Sequence, residues 1–189
     1  MKKALEICET TYDENDSKLL DVHRALGLEY QNLEMNEEAL EHHLKALKIG
    51  QDTFGDNESL YESVGNMHML MGDFNAGLEN FLKAKEKAEF MSACILNVGI
   101  YNKIGQAYQS LGEYETAITY HQKAIKQATE QFGETYTDAI NGHIFIGIAY
   151  ESMGNIAEAI KYYEKGIPML DDNDPDKEGM LAHLEELKQ

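Results

Sequence analysis

The densest set of metal-capable side chains in the 189-residue chain is Glu41-His42-His43. Two imidazoles and a carboxylate would suit zinc or copper. Neighbouring helical residues, however, point about 100° apart, and His43 falls where other parts of the chain place Phe81 and Tyr163, so His43 is read as a packing ring. His121 is read the same way, and His68 stands where Tyr30, Tyr108 and Tyr150 stand elsewhere. The nine methionines fall mostly on helix faces and turns, as adaptable packing does, rather than as a copper site.

Other chemistry finds no constellation. No glycine-rich loop ends in Lys-Ser or Lys-Thr to cradle phosphate. Cys8 and Cys94 are too few and too far apart for a disulfide framework or a paired metal motif, and Cys94 has no marker of a nucleophile beside it. A reducing, cytoplasmic compartment is the expectation. Carboxylates are plentiful, yet nothing singles out one pair as acid and base. The expected protein is not an enzyme and uses no cofactor and no metal.

What the chain does carry is a repeat. Leu26-Gly27-Leu28-Glu29-Tyr30, Val64-Gly65-Asn66-Met67-His68, Ile104-Gly105-Gln106-Ala107-Tyr108 and Ile146-Gly147-Ile148-Ala149-Tyr150 share an aliphatic residue, a glycine and then a ring. The glycines lie 38, 40 and 42 residues apart. Twelve residues after each come Ala39, Gly77, Ala117 and Ala159, and nineteen after come Ala46, Ala84, Ala124 and Gly166, all small. Sixteen after come the rings His43, Phe81, His121 and Tyr163. Gly72, Gly112 and Gly154 mark a reversal, because glycine accepts left-handed cap geometry. Repeat one carries Glu34-Met35-Asn36 there. Each unit therefore reads as helix, tight turn, helix, with small residues where the helices cross and rings filling gaps between neighbouring units.

This pattern resembles the tetratricopeptide repeat, in long-repeat form similar to the kinesin light chains and the Leu-Gly-Asn-rich mitotic adaptor. The resemblance implies an all-α, right-handed superhelical solenoid of antiparallel helix pairs. Its spacing exceeds the usual ~34 residues, and His23, Tyr61, Tyr101 and His143 replace the first-position tryptophan. Phe54-Gly55-Asp56 and Phe132-Gly133-Glu134 sit at matching offsets, as in the kinesin light chains. The expected layout is one array over 1–189: a second helix of a partial repeat at 1–13, repeats at 17–53, 56–90, 93–131 and 134–170, and a capping helix at 175–188 with the apolar stripe Met180, Leu181, Leu184, Leu187.

The same resemblance places the first helix of each repeat on a concave, peptide-binding face. The residues expected there are Arg24, Leu28, Gln31 and Asn32; Glu62, Asn66, Met69 and Leu70; Asn102, Gln106 and Gln109; and Asn141, Ile144, Ile148 and Glu151. Amides offer a donor and an acceptor to a peptide main chain, and the aliphatic residues would form pockets beside them. Chaperone-binding repeats grip a C-terminal carboxylate with several cations, whereas Arg24 is the one cation among these residues, so that clamp is not encoded.

The formal charge of −18 repels nucleic acid and anionic membranes and attracts basic partners. No run of about 18 apolar residues encodes a membrane span. The leading expectation is an adaptor or scaffold that binds another protein or a linear peptide of basic or mixed apolar and basic character. The alternatives are a regulatory or sensory module whose curvature changes on binding, and structural self-association through solenoid ends.

Overall fold

Every repeat glycine has a ring lying on it. A Cβ at Gly27 would meet the His43 imidazole at 2.5 Å, and one at Gly65 would meet Phe81 at 2.6 Å. Gly105 faces His121, and Gly147 faces Tyr163, each at 2.5 Å. The glycine in a first helix thus receives a ring from the second helix of its own repeat. Two of these rings also reach the next unit, as expected of rings that fill gaps between neighbours: His121 lies 5.2 Å from the Phe145 ring and Tyr163 6.1 Å from the His183 ring, between centroids.

In the computed structural model, Thr11 and residues 16–54, 58–91 and 98–189 are described. The expected partial repeat at 1–13 falls almost wholly outside them, as do Cys8, Cys94, Gly55 and Asp56. The described residues form helices joined by turns, with no strand among them. They divide into two compact units, residues 1–96 and 97–189.

The first unit holds α1 (Ser17–Asn32), α2 (Asn36–Ile49), a π-helical turn (Gly50–Phe54), α3 (Glu58–Leu70) and α4 (Phe74–Met91). Its helices pack in chain order: α1 on α2, α2 on α3 and α3 on α4. Asp16 caps α1, accepting from the Lys18 amide at 2.8 Å. The buried stripe of α4 is Gly77, Phe81, Ala84 and Ala88, at helical spacing. Fully burying a ring such as Phe81 contributes about 1.5–3 kcal/mol.

The second unit holds α5 (Val98–Ser110), α6 (Tyr114–Phe132), α7 (Thr137–Ser152), α8 (Ile156–Gly166), a 3-10 turn (Ile167–Met169) and α9 (Lys177–Leu187). Here α7 packs on α5, α6 and α8, and α9 packs on α8. Leu184 is the buried residue of α9 and joins a core of Ile140, Ile144, Ala159, Tyr163 and Ile167. Met180 and Leu187 pack beside it, while Leu181 remains 40% exposed.

All four helix pairs turn in the same way. The amides of Met35, Asp73, Glu113 and Asn155 donate to the carbonyls of Tyr30, His68, Tyr108 and Tyr150 at 2.8–3.0 Å, the six-to-one bond of a Schellman turn. Glycine takes the left-handed position in three of them, with φ of 80°, 80° and 76° at Gly72, Gly112 and Gly154. In repeat one Glu34 takes it, at φ 58°. Turn geometry is therefore uniform although the residue is not.

Candidate functional site

Helix α7 presents Ile144, Ile148, Glu151 and Ser152 to one side, at spacings of four, three and one. The ring of Tyr163 from α8, Ile167 from the 3-10 turn, and Gly179, Met180 and His183 from α9 close the other sides. They enclose a cleft of about 570 Å³. Its wall is mainly aliphatic, and its polar groups gather around Glu151.

Glu151 ties three helices together. Its Oε2 accepts from the Tyr163 hydroxyl at 2.7 Å, and its Oε1 lies 3.0 Å from Nε2 of His183. Burial pushes the carboxyl up, but the hydrogen bonds from His183 and Tyr163 outweigh it and hold Glu151 below the ordinary carboxylate range. Burial and the Glu151 carboxylate together raise the Tyr163 hydroxyl. At neutral pH the cleft therefore contains a carboxylate and a neutral phenol. Ser152 is already committed, its hydroxyl donating to the Ile148 carbonyl at 2.9 Å.

Three of the residues expected on the binding face, Ile144, Ile148 and Glu151, meet in this cleft. Ile148 is 41% exposed, whereas Ile144 is buried. Asn141 is half-buried one turn away on the same helix.

The amides of α5 are arranged differently. Asn102 is buried and donates from Nδ2 to the Asp138 carbonyl at 2.8 Å, so it does not face a ligand. Half-buried Gln109 donates from Nε2 to the Phe145 carbonyl at 3.0 Å. Both also hold His121, with Nδ1 at 2.9 Å from Asn102 Oδ1 and Nε2 at 2.9 Å from Gln109 Oε1. The amide ladder expected to grip a peptide instead joins α5 to α7 at these two positions. Gln106 is half-buried.

In the first unit, Leu28 on α1 and Leu70 on α3 are 56% and 58% exposed. Asn32 is exposed, Gln31 half-buried, and Arg24 stands 4.0 Å from Asp21. Glu62 and Asn66 are half-buried, each with interactions of its own. Met69 packs inward, its sulfur filling the space a Cβ at Gly77 would need.

The metal reading of Glu41-His42-His43 resolves into packing. His42 is buried and stacks on Tyr30 and His23 at centroid distances of 5.3 and 5.1 Å, with its Nδ1 2.9 Å from that of His23. No three His, Cys, Asp or Glu side chains among the described residues could hold a metal ion. No helix among those residues is long and apolar enough to cross a membrane.

The cleft residues Tyr163, Ile167, Gly179, Met180 and His183 were not expected at a site. The available signal was His183 standing three residues after Met180 in an otherwise apolar helix stripe.

Known proteins resemble this chain in sequence and fold. Residues 93–172 match the tetratricopeptide repeat family model. Heat shock protein STI1 of Saccharomyces cerevisiae is 28% identical over 118 residues, which are 61% of this chain and only 19% of that protein. Photosystem I assembly protein Ycf3 of Prochlorococcus marinus is 29% identical over 119 residues, 61% of this chain and 68% of that one. Among solved structures, a Podosopora anserina protein of kinesin-light-chain type with nearly identical TPR-like repeats superposes with a TM-score of 0.75. It is 14% identical and covers 89% of this chain and 82% of its own. The recurring ring-on-glycine helix pairs and their uniform turns, with the family match over residues 93–172, give this chain the fold of a tetratricopeptide repeat solenoid.

Proposed function

We propose that this chain is an adaptor that holds a segment of another polypeptide against the first helices of its repeats, and that the segment carries aliphatic and basic residues. The observation that carries the reading is that α1, α3 and α7 leave large aliphatic side chains in solvent. Leu28, Leu70 and Ile148 are 56%, 58% and 41% exposed, and in α7 the carboxylate of Glu151 lies beside the exposed one. Aliphatic surface in solvent is surface that a partner can cover favourably. A formal charge of −18 steers cations towards it.

The reading is binding rather than catalysis, because the cleft wall is mainly aliphatic and its carboxylate is positioned by Tyr163 and His183. A relative named for photosystem assembly is consistent with a protein-holding role. The test is a peptide array graded in aliphatic content and charge, probed with the full chain at low and high salt. Aliphatic, cationic peptides are retained and lose binding as salt rises. Retention of acidic peptides to the same degree, or of none, removes the proposal.

A further inference from the structure

We infer that the cleft between α7, α8 and α9 is the socket for a short stretch of the bound segment centred on a large aliphatic side chain, with a lysine or arginine beside that residue meeting Glu151. This inference rests on the adaptor reading and narrows it to one place and one pair of residues.

The wall decides the first part. Ile144, Ile148, Ile167 and Met180 line a space of about 570 Å³, on the scale of pockets that take a ligand larger than one side chain, so an aliphatic side chain enters together with part of the segment beside it. Water there touches hydrocarbon on several sides, so an aliphatic side chain that displaces it gains by burial. Gly179 lines the cleft, and an added Cβ there would meet no atom within 4 Å.

Glu151 decides the second part. A carboxylate has about four lone-pair sites. The Tyr163 hydroxyl takes one and His183 Nε2 shares another region, at 3.0 and 3.1 Å from the two oxygens. Acceptor capacity remains, and the Glu151 side chain is 30% exposed. A cation on the partner is the complementary group, and an acidic residue would be repelled.

The occupant is a polypeptide segment because Ile148, at the edge of the cleft, is itself exposed on α7. A chain entering the cleft with a short stretch therefore keeps apolar contact outside it.

The experiment uses the full chain with carbon-13 labels on isoleucine δ1 and methionine ε methyl groups. It is titrated with acetyl-Gly-Lys-Leu-Arg-Gly-amide and, separately, with acetyl-Gly-Glu-Leu-Glu-Gly-amide. The expected result is saturable shifts at Ile144, Ile148, Ile167 and Met180 with the cationic peptide, weakened about 2- to 5-fold by Glu151→Gln, the scale of one partly exposed ion pair. Gly179→Phe adds a ring at a residue that lines the cleft, keeps its helix because glycine is the poorer helix former, and abolishes the shifts while circular dichroism reports a folded chain. Silence of those four methyls overturns the socket. If Met69 responds instead, the adaptor reading survives and only the socket falls. Equal response to the acidic peptide overturns the role given to Glu151. The peptide array scores the adaptor reading independently, since it does not depend on this cleft.

Discussion

Nδ1 of His121 lies 2.9 Å from Oδ1 of Asn102, in a place where the imidazole has no exposure at all. Its other nitrogen faces Gln109 Oε1 at the same distance, and both amide nitrogens are committed to carbonyls of α7. The chain of hydrogen bonds thus has an acceptor at each end, and satisfying every link would need an imidazolium. A buried cation without a counter-charge costs more than one unmade hydrogen bond. Burial accordingly pulls His121 down to about 4. The ring is therefore neutral and donates from one nitrogen only. Buried Asn102 has no water to turn to, whereas half-buried Gln109 has. The proton belongs on Nδ1, facing Asn102.

The two amides should then differ in weight. Asn102→Ala removes a made bond to His121 and the link to Asp138, at a cost of about 1–3 kcal/mol. Gln109→Ala removes a link that water replaces, at less than about 1 kcal/mol. Urea unfolding of the two variants compares them, and equal losses would contradict the assigned tautomer.

Buried neutral histidines also make stability depend on pH. His23, lowered first by burial and then by His42, and His121, lowered by burial, are both brought from 6.5 to about 4. A folded pKa below the unfolded one means stability is fully present above 6.5 and is lost as pH falls towards about 4. Gln109→Glu places a carboxylate beside Nε2 of His121 and favours the cation. Imidazole resonances followed by NMR should show the His121 transition moving upward in that variant and the His23 transition unmoved. A His121 transition that stays in place would be inconsistent with the contact.

The repeat and its helix pairs were legible because they rest on periodicity, which side-chain type alone reveals. Direction was not. Asn102 and Gln109 follow one another at the spacing of one helical face. An amide stripe has the same composition whether it faces a ligand or the next first helix. Because α5 touches α7 directly, two of its amides are spent inside the fold. Likewise the ring positions were visible as a class, but that His43 lies on Gly27 depends on how closely the two helices cross. The cleft depends on where α9 docks, which an apolar stripe leaves open by several side chains.

Repeat one offers a simple gain. Glu34 holds the left-handed position that glycine holds in the other three turns, at φ 58°. A side chain there costs about 1–2 kcal/mol, offset in part by the greater freedom of glycine in the unfolded chain. Glu34→Gly should stabilise the protein by roughly 0.5–1 kcal/mol net, read as a rise in thermal midpoint. A fall would show that Glu34 makes a compensating contact.

Gly147 tests whether the ring-on-glycine contact governs the candidate site as well as the core. A methyl group there would meet Tyr163 ring carbons at 2.5 and 2.6 Å. The ring cannot swing aside freely, because its hydroxyl is held by Glu151 at 2.7 Å and Glu151 by His183. Alanine improves helix propensity by up to about 1 kcal/mol, while overpacking costs about 1–3 kcal/mol. The sum should be destabilising for Gly147→Ala. Gly179→Ala, which meets nothing within 4 Å, should be neutral or stabilising. Thermal unfolding gives the sign for each. In Gly147→Ala the displaced ring should also disturb the His183 imidazole resonances, a response that Gly105→Ala, whose methyl meets His121 instead, should not produce. Undisturbed His183 resonances would mean that the helix shifts as a body and leaves the cleft intact.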